Sequence, residues 1–544
     1  MATGMAMDMV MARERKRTHL GFVSLLALYG VLHAAESRAD ALTVTPKLAT
    51  SETYTDNISL APAGQTSAGF ITQLTPEITI TDVGSRLNLN IDYTLLDYMY
   101  DNYGWAHTYY NQLNANADLQ LIKKTFFVDV GSTISQQPLT LFGPVSANGS
   151  NLTGNVANVK TDTFSSTLEH NFDEEALAQA KVTHVNMDFS YAGAAIGGLY
   201  SPTAGPTNLN YQNYAFAMST DTADVFVSNG ADFNNFTWKL DYNRNSILYP
   251  GYPTATISLL TGDLGYLLTP RFKLNSELGY EHDNFVYYGP APYGVFWNEG
   301  FSWNPSQRTQ LQVAAGERFF GRTYLFDLSH RRQHLLLTAG YHEDVTATPM
   351  EQFISPAATL DQLLQNQITD PAQRQQTIQQ ILSALGPQSS LYGYNAITNE
   401  IFVSKTFHAT LGVTSPRNTL LLTLFDSQVS PLQQSGSSGF NNPLYQFQNY
   451  LGFGTYYTAG ETMTWSHKLD PFITLTFSDS YTRMSMADIP GQETMNFLLL
   501  GISKQVNPKV MESLTYRHQN MNGGMVGGYS YTENALIAGL NFIF

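Results

Sequence analysis

A few places in this chain of 544 residues bring histidine and acidic side chains together in sequence. His282 precedes Asp283, and His342 precedes Glu343 and Asp344. A histidine beside a carboxylate can act as a general base in hydrolysis. Because the chain has 12 His and 44 Asp or Glu, such neighbours also arise by chance. We predict no catalytic residue and no enzymatic activity.

Motifs for other chemistry are missing from the sequence. It has no HExxH zinc motif, no GxSxG nucleophile elbow, no Walker loop and no dinucleotide glycine pattern. It has no Cys, which excludes disulfides and thiolate metal ligands. His330, Arg331, Arg332 and His334 lack adjacent acidic or further histidine ligands, so we interpret them as a solvated turn near lipid head groups. We therefore expect no cofactor and no metal.

Polar and apolar residues alternate with period two along much of the chain. One strongly alternating segment spans residues 85–99, with the apolar set Leu87, Leu89, Ile91, Tyr93 and Leu95 interleaved with Asn88, Asn90, Asp92 and Thr94. Residues 235–245, 270–285 and 471–483 alternate in the same way. Period two indicates strands, and a membrane barrel places one face toward lipid and the other toward a wet lumen. We predict an all-β, antiparallel, up-and-down transmembrane β-barrel of roughly 22 strands (range 18–22).

The chain ends on an alternating strand, residues 531–544 (YTENALIAGLNFIF). An open apolar edge would invite aggregation, whereas a barrel closes this strand against the first one. An ordinary buried strand in a soluble sheet is the alternative. Phe542 and Phe544 resemble the C-terminal assembly signal of bacterial outer-membrane barrels. We expect the last strand to pair with the strand after Leu42.

The N-terminus and the composition support a bacterial outer-membrane location. Basic residues at 13–17 precede an apolar run at 20–32 and small residues at 39–41, which together predict a signal peptide over residues 1–41 and a barrel over 42–544. Aromatic residues make up 12% of the chain, and charged residues only 13%, against a usual ~25%. The net charge of −16 argues against a nucleic-acid partner.

Short and long connections alternate along the chain between these segments. Short Pro- and Asn-containing turns, such as residues 304–306 and 506–508, predict periplasmic turns. Longer stretches at 136–158, 191–220, 346–399 and 430–448 predict outer loops. Within 346–399, the spacing of Leu360, Leu364, Ile378 and Leu385 predicts a helical hairpin. It could constrict the barrel mouth or pack only on itself.

Charged and amide side chains on the polar faces of three predicted strands are the candidate lumen-lining residues. They are Arg271, Lys273, Glu277, Glu281, Gln310, Gln312, Arg318, Asp327 and Arg331. Both signs of charge occur, whereas a ring of one sign would indicate ion selectivity. Such a wall could hold a neutral or weakly charged saccharide, or its groups could pair only to keep a wide lumen hydrated and rigid.

Several short segments carry a family resemblance. They are residues 303–309 (WNPSQRT), 316–321 (GERFFG), 404–405 (SK), 414–420 (TSPRNTL), 503–508 (SKQVNP), 514–518 (LTYRH) and 531–534 (YTEN). Together they resemble the outer-membrane barrel proteins associated with PEP-CTERM/exosortase systems. That family is encoded beside genes for exopolysaccharide biosynthesis and export, so the resemblance implies a compartment and a pathway.

The resemblance and the alternation together favour a passive or partner-driven barrel in exopolysaccharide export or surface attachment. The implied partners are outer-membrane lipid, the barrel-assembly machinery, polysaccharide and periplasmic export components. A general diffusion porin for small solutes is the second hypothesis. A structural or anchoring barrel without transport is the third.

Overall fold

The computed structural model is all-β. It describes residues 42–101, 106–138, 143–146, 149–191, 215–230, 235–248, 254–284, 292–346, 401–432, 454–487, 489–524 and 530–544, with the single residues Leu360, Leu364, Arg374 and Ile378. The predicted signal peptide, residues 1–41, lies outside these ranges. The strands are β1 Thr43–Thr55, β2 Gly69–Val83, β3 Leu87–Tyr100, β4 Ala106–Ile122, β5 Phe126–Gln137, β6 Ala157–Phe172, β7 Ala176–Tyr191, β8 Ala215–Asn229, β9 Phe236–Leu248, β10 Ala255–Thr269, β11 Phe272–Asp283, β12 Tyr293–Ser306, β13 Thr309–Arg318, β14 Gly321–Arg332, β15 Leu335–Thr346, β16 Phe402–Thr414, β17 Asn418–Pro431, β18 Tyr456–Lys468, β19 Ile473–Met486, β20 Ile489–Asn507, β21 Val510–Gly523 and β22 Tyr531–Ile543.

The strands close into one 22-stranded antiparallel barrel. Each strand pairs with the next in sequence, and β22 pairs with β1. At this seam Phe542 lies opposite Leu48, and the backbone N–H of Phe544 donates to the carbonyl of Pro46 at 3.0 Å. The barrel, its strand number and its terminal seam are as the sequence predicted. Closure leaves no unpaired edge to aggregate.

Connections on the two ends of the barrel differ in length. Those from even- to odd-numbered strands have two to six residues, such as 333–334 and 230–235. Those on the other end are mostly longer and include residues 347–401. Two of them, 319–320 and 487–488, have only two residues, and the predicted loop at 191–220 is shorter because β8 begins at Ala215. We assign the short turns to the periplasmic end.

The predicted helical hairpin lies almost entirely outside the described residues. Leu360, Leu364, Arg374 and Ile378 are helical, and the three apolar ones are buried. In the part of the chain that the structure covers, no helix has the length and apolarity needed to cross a membrane.

An apolar band surrounds the outside of the barrel. On β22 the outward side chains Leu536, Leu540 and Phe544 are exposed, over about 26 Å of strand at ~3.3 Å per residue. Four exposed tyrosines lie at the outer edge of the band. Toward the outer end, the next residue on the same face is polar in each case: Arg244 beyond Tyr242, His282 beyond Tyr280, Arg322 beyond Tyr324 and His518 beyond Tyr516. An apolar band edged by aromatics is the surface that an outer-membrane β-barrel presents to lipid.

Beyond this band, toward the outer end, the polarity of the two faces reverses. On β20 the apolar side chains Leu500 and Ile502 face outward in the band, whereas Met495 and Phe497 face inward beyond it, 1% and 3% exposed. On β7, Val182 is exposed, but Met187 and Phe189 farther along are buried. The outer half of the barrel therefore has an apolar interior, as a soluble sheet would.

Three apolar clusters line the inside of this outer half. The methionine cluster comprises Leu60, Val145, Phe402, Val429, Tyr456, Met484, Met486, Met495, Phe497, Met521 and Tyr531. The hairpin cluster comprises Val159, Met187, Phe189, Met218, Ile247, Ile257, Val345, Ile401, Val403 and Leu432, with Phe319 and Phe320 packed against it. The tyrosine cluster comprises Ile58, Ile71, Tyr98, Tyr100, Tyr110, Leu152 and Val156.

Candidate functional site in the barrel lumen

The rim of the barrel is low at the β13–β14 hairpin. β12 begins at Tyr293, but its pairing with β13 starts only at Trp297, opposite Glu317. β14 and β15 share seven residue pairs, which end at Phe326 and Tyr341. Gly321, with a φ of +122°, permits the two-residue connection. The tip turns inward, so that Phe319 and Phe320 pack against the hairpin cluster.

Arg318 attaches this tip to two other strands. Its Nη2 and Nε donate to the two carboxylate oxygens of Glu281 on β11 at 2.6 and 3.1 Å. Its Nη1 donates to Asp344 Oδ1 on β15 at 3.0 Å, and the guanidinium lies 5.1 Å from the ring centroid of Phe320. The Glu281 side chain is 1% exposed. A buried bidentate pair of this kind fixes the guanidinium in position and direction.

A polar wall continues below Arg318 toward the periplasm. Asn298 Nδ2 donates to Glu277 Oε2 at 2.8 Å, and Thr323 Oγ1 donates to Asn298 Oδ1 at 3.1 Å. The second bond joins β14 to β12 across Gly316 of β13. Amide and hydroxyl groups thus face the lumen in a connected network.

Gly316→Ala is expected to lower the free energy of unfolding by about 1–3 kcal/mol, because an added Cβ overpacks the wall. That Cβ would lie 2.0 Å from Asn298 Oδ1 and from the carbonyl oxygen of Trp297. Urea unfolding followed by tryptophan fluorescence measures the change. Gly262→Ala is the control, since its Cβ would come no closer than 3.7 Å to Leu278 O. Equal stability of the two variants would contradict the steric account.

Below the hairpin lies a cavity of about 660 Å³ in the lumen. Four of the sequence-predicted residues line it: Lys273, Glu277, Gln312 and Arg318. Lys239, Asp263, Asn275, Asn298 and His342 add further polar groups. The cavity wall alternates charges of both signs with amides, which can hydrogen-bond a polyol without a strong preference for ions of either sign.

The remaining predicted lumen residues lie around this cavity. Glu281 lies behind Arg318, and Asp327 Oδ1 is 3.0 Å from His342 Nε2. Gln310 and Arg331 lie on the inward faces of β13 and β14 near the periplasmic end. Arg271 is in the β10–β11 turn and not in a strand, so it lies at the edge of the wall.

Of the histidine and acidic neighbours in the sequence, His342 and Asp344 share the inward face of β15 and both line the cavity, whereas His282 and Asp283 separate. His282 and Asp283 are successive residues of β11, so their side chains point to opposite faces of the wall. Among the described residues, no group of three or more His, Cys, Asp or Glu side chains could hold a metal ion.

A second polar cluster lies at the seam, which we call the seam cluster: Thr55, Asn57, Asn151, Arg517, Gln519 and Glu533. Arg517 Nε and Nη2 donate to the Glu533 carboxylate at 3.0 and 2.7 Å. Thr55 Oγ1 and Asn151 Nδ2 also donate to Glu533, at 2.7 and 2.8 Å. Each of these six residues is at most 2% exposed.

The seam cluster holds a piece of the β5–β6 connection against the inner wall. Leu152 N donates to Ile58 O at 2.9 Å, Tyr100 Oη to Ser150 O at 2.9 Å, and Tyr531 Oη to Val145 O at 3.1 Å. Residues 143–146 and 149–156 therefore occupy part of the lumen. This packing inside the lumen was not predicted from the sequence. The sequence does contain one sign of it: in strands such as β7 and β20, the apolar residues change from the outward-facing to the inward-facing positions.

Three of the family-like segments contribute to these sites. GERFFG contains Arg318, Phe319 and Phe320 at the hairpin tip. LTYRH contains Arg517 and YTEN contains Glu533, which meet in the seam cluster. The family-like segments thus provide Arg318, Arg517 and Glu533 for the charged pairs on the inner wall.

No protein-family model and no curated protein matches the chain. Among solved structures, it is similar to a mutant of the ferric enterobactin receptor PfeA from Pseudomonas aeruginosa in complex with enterobactin, at 11% identity over 93% of this chain and 82% of that one, with a TM-score of 0.46. The siderophore receptor PirA from Acinetobacter baumannii is 6% identical over 92% and 80%, with a TM-score of 0.46. The FrpB iron transporter from Neisseria meningitidis is 8% identical over 93% and 83%, with a TM-score of 0.37.

Proposed function

We propose that this outer-membrane β-barrel is a conduit for exopolysaccharide export, closed at its outer end by inward-packed segments in the resting state. The observation that carries the proposal is the reversal of polarity along the wall. Within the membrane band the inward face is polar, and beyond it the inward face is an apolar core that includes Leu60, Val145 and Phe319. A lumen that is wet inside the membrane and packed outside it suits a regulated conduit better than a permanently open one.

The chemistry of the cavity supports a saccharide as the cargo. Asn275, Asn298 and Gln312 offer both donors and acceptors, and Lys273 and Glu277 balance each other in charge. A neutral or weakly charged polyol would exchange its hydration for these groups. The resemblance to PEP-CTERM-associated barrels points to the same cargo class. Without a nucleotide-binding motif, transport would be passive or driven by periplasmic export components, and the chain would have no enzymatic role.

Deletion of the gene is expected to lower extracellular polysaccharide while the cell still synthesises it. Secreted and cell-associated polysaccharide should be measured separately, with the intact gene restored on a plasmid as the control. Unchanged secretion alongside normal synthesis would contradict the export function.

The polar lumen within the membrane band favours one alternative, a general diffusion porin. A porin would show steady open-channel conductance in planar bilayers as purified. We expect the wild-type protein to be mostly silent, because segments packed onto the apolar clusters that line the outer half of the described barrel would narrow its lumen. Steady conductance of the unmodified protein would favour the porin.

The same apolar packing favours the remaining alternative, an anchoring barrel without transport. It predicts that variants that loosen the packing destabilise the protein but never conduct ions. Conductance of the variants Arg318→Ala and Arg517→Ala separates this alternative from a closed conduit.

A further inference from the structure

An acidic side chain, Glu299 of β12, faces outward between two aromatic side chains of the apolar band. On the same face of β12, Trp297 lies toward the outer end and Phe301 toward the periplasm. Ser276 Oγ on β11 donates to Glu299 Oε1 at 2.6 Å, and Glu299 is exposed. A carboxylate facing hydrocarbon is unfavourable, and ionisable residues within a membrane usually mark a functional contact.

A small residue and a hydrogen-bond donor lie beside Glu299 on the next two strands. Ala315 of β13 is directly opposite Glu299, and Tyr324 of β14 is directly opposite Ala315. Ala315 is exposed, and Tyr324 is 49% exposed. The outward face therefore has an acceptor on β12 and a phenol donor on β14, each one strand away from a shallow centre on β13.

We propose that the outward face of β12–β14 is a two-fold interface with a second copy of this chain in the membrane, centred at Ala315. A two-fold axis along the membrane normal at β13 makes β12 of each copy face β14 of the other. Each Glu299 then meets the partner's Tyr324, which gives two equivalent hydrogen bonds. The small side chain of Ala315 at the centre lets the two walls approach closely there.

The arrangement selects a second copy over lipid as the occupant. Lipid acyl chains have no donor for a carboxylate. The donor and the acceptor lie on opposite sides of Ala315 at equal strand spacing, which is the requirement for a self-complementary surface. At the outer edge of the same face, Glu317 lies opposite Arg322, so each copy brings one charge of each sign to the contact.

Single-cysteine cross-linking tests the interface, because the chain has no native Cys. Packed sheets lie about 10 Å apart, farther than a disulfide spans, so a bifunctional thiol reagent of about 10 Å reach is used on intact outer membranes. Two differently tagged copies of the Ala315→Cys protein are expressed together. We expect a cross-linked species of twice the chain mass that carries both tags.

The control is Ala538→Cys, which is exposed on the lipid-facing side of β22. It should remain monomeric under the same conditions. Equal cross-linking of Ala315→Cys and Ala538→Cys, cross-linking only to a different protein, or no cross-linked species with both tags would each overturn the proposal.

Three further variants test the assigned contact within the Ala315→Cys background. Glu299→Leu and Tyr324→Phe remove the acceptor and the donor of the same hydrogen bond, and each should weaken dimerisation by about tenfold or more. Glu299→Gln keeps an acceptor and should retain more dimer than Glu299→Leu. Neither Leu nor Phe is unfavourable on a lipid-facing surface, so barrel folding, seen as heat-modifiable migration, should persist. An unchanged dimer fraction in both variants would overturn the proposed pairing.

Discussion

Arg517→Ala is expected to lower the free energy of unfolding by about 3–5 kcal/mol, one of the two largest effects among the substitutions proposed for this chain. Arg517 and Glu533 are 1% and 0% exposed, and they form a bidentate pair. Removing the guanidinium leaves the Glu533 carboxylate buried with only the neutral donors Thr55, Gln519 and Asn151. Urea unfolding of the folded protein in detergent, followed by tryptophan fluorescence, measures the loss.

Lys160→Ala is the matched control for Arg517→Ala. Lys160 also pairs with a carboxylate, Asp162, at 2.7 Å, but the two side chains are 47% and 40% exposed. Exposed pairs contribute about 0–1 kcal/mol, so this variant should unfold almost as the wild type does. The double variant Arg517→Met/Glu533→Leu removes both buried charges and should recover part of the loss. Similar stability of Arg517→Ala and Lys160→Ala would contradict the role of the buried carboxylate.

The same substitution has a consequence for the lumen, because Asn151 bonds to Glu533 from the β5–β6 connection. A disturbed seam cluster should release residues 143–146 and 149–156 from the inner wall. In planar bilayers, Arg517→Ala should therefore show conductance events that the wild type lacks. An anchoring barrel would lose stability without gaining conductance.

Arg318→Ala is expected to give the second large effect, by freeing the β13–β14 tip. The substitution removes two hydrogen bonds to Glu281, one to Asp344 and the cation–π contacts with Phe296 and Phe320. A loss of about 3–5 kcal/mol shifts the balance between attached and detached tip by a hundredfold or more. Bilayer recordings should show longer or larger openings than those of the wild type.

Arg318→Lys and Arg332→Ala are the controls for Arg318→Ala. Lysine keeps the charge but not the bidentate geometry, so its conductance should fall between those of wild type and Arg318→Ala. Arg332 lies at the periplasmic end of β14, far from the tip, and its removal should leave conductance unchanged. Wild-type conductance in Arg318→Ala, with the barrel still folded, would show that the tip does not obstruct the lumen.

The terminal strand illustrates what could be predicted locally. Leu536, Ala538, Leu540, Phe542 and Phe544 recur at every second position, and all five lie on the outward face of the terminal strand. Successive side chains of a strand point to opposite faces, so a period of two in the sequence shows which residues share a face. The same logic placed Lys273, Glu277 and Gln312 on the inward face, where they line the cavity.

The seam cluster illustrates what could not be predicted from the local sequence. Arg517 and Glu533 are 16 residues apart on adjacent strands, but Asn151 is 366 residues from Arg517. Pairing of neighbouring strands follows from chain order, whereas the inward fold of the β5–β6 connection depends on which buried groups it meets inside the closed barrel. The low rim at Arg318 is similar, because the inward turn of Phe319 and Phe320 depends on apolar partners on distant strands such as Ile257.

By itself, the sequence determined the class of fold, the number of strands, the seam at Phe544 and the faces of the wall, because these depend on short-range periodicity and on chain order. The tertiary structure alone decided what fills the barrel. Burial of the Arg517, Glu533 and Arg318 side chains requires that remote strands enclose one space. The same holds for the packing of residues 143–146 and 149–156 against the inner wall. Hydrophobic and charged groups acquire their energies from that enclosure, which no local pattern contains.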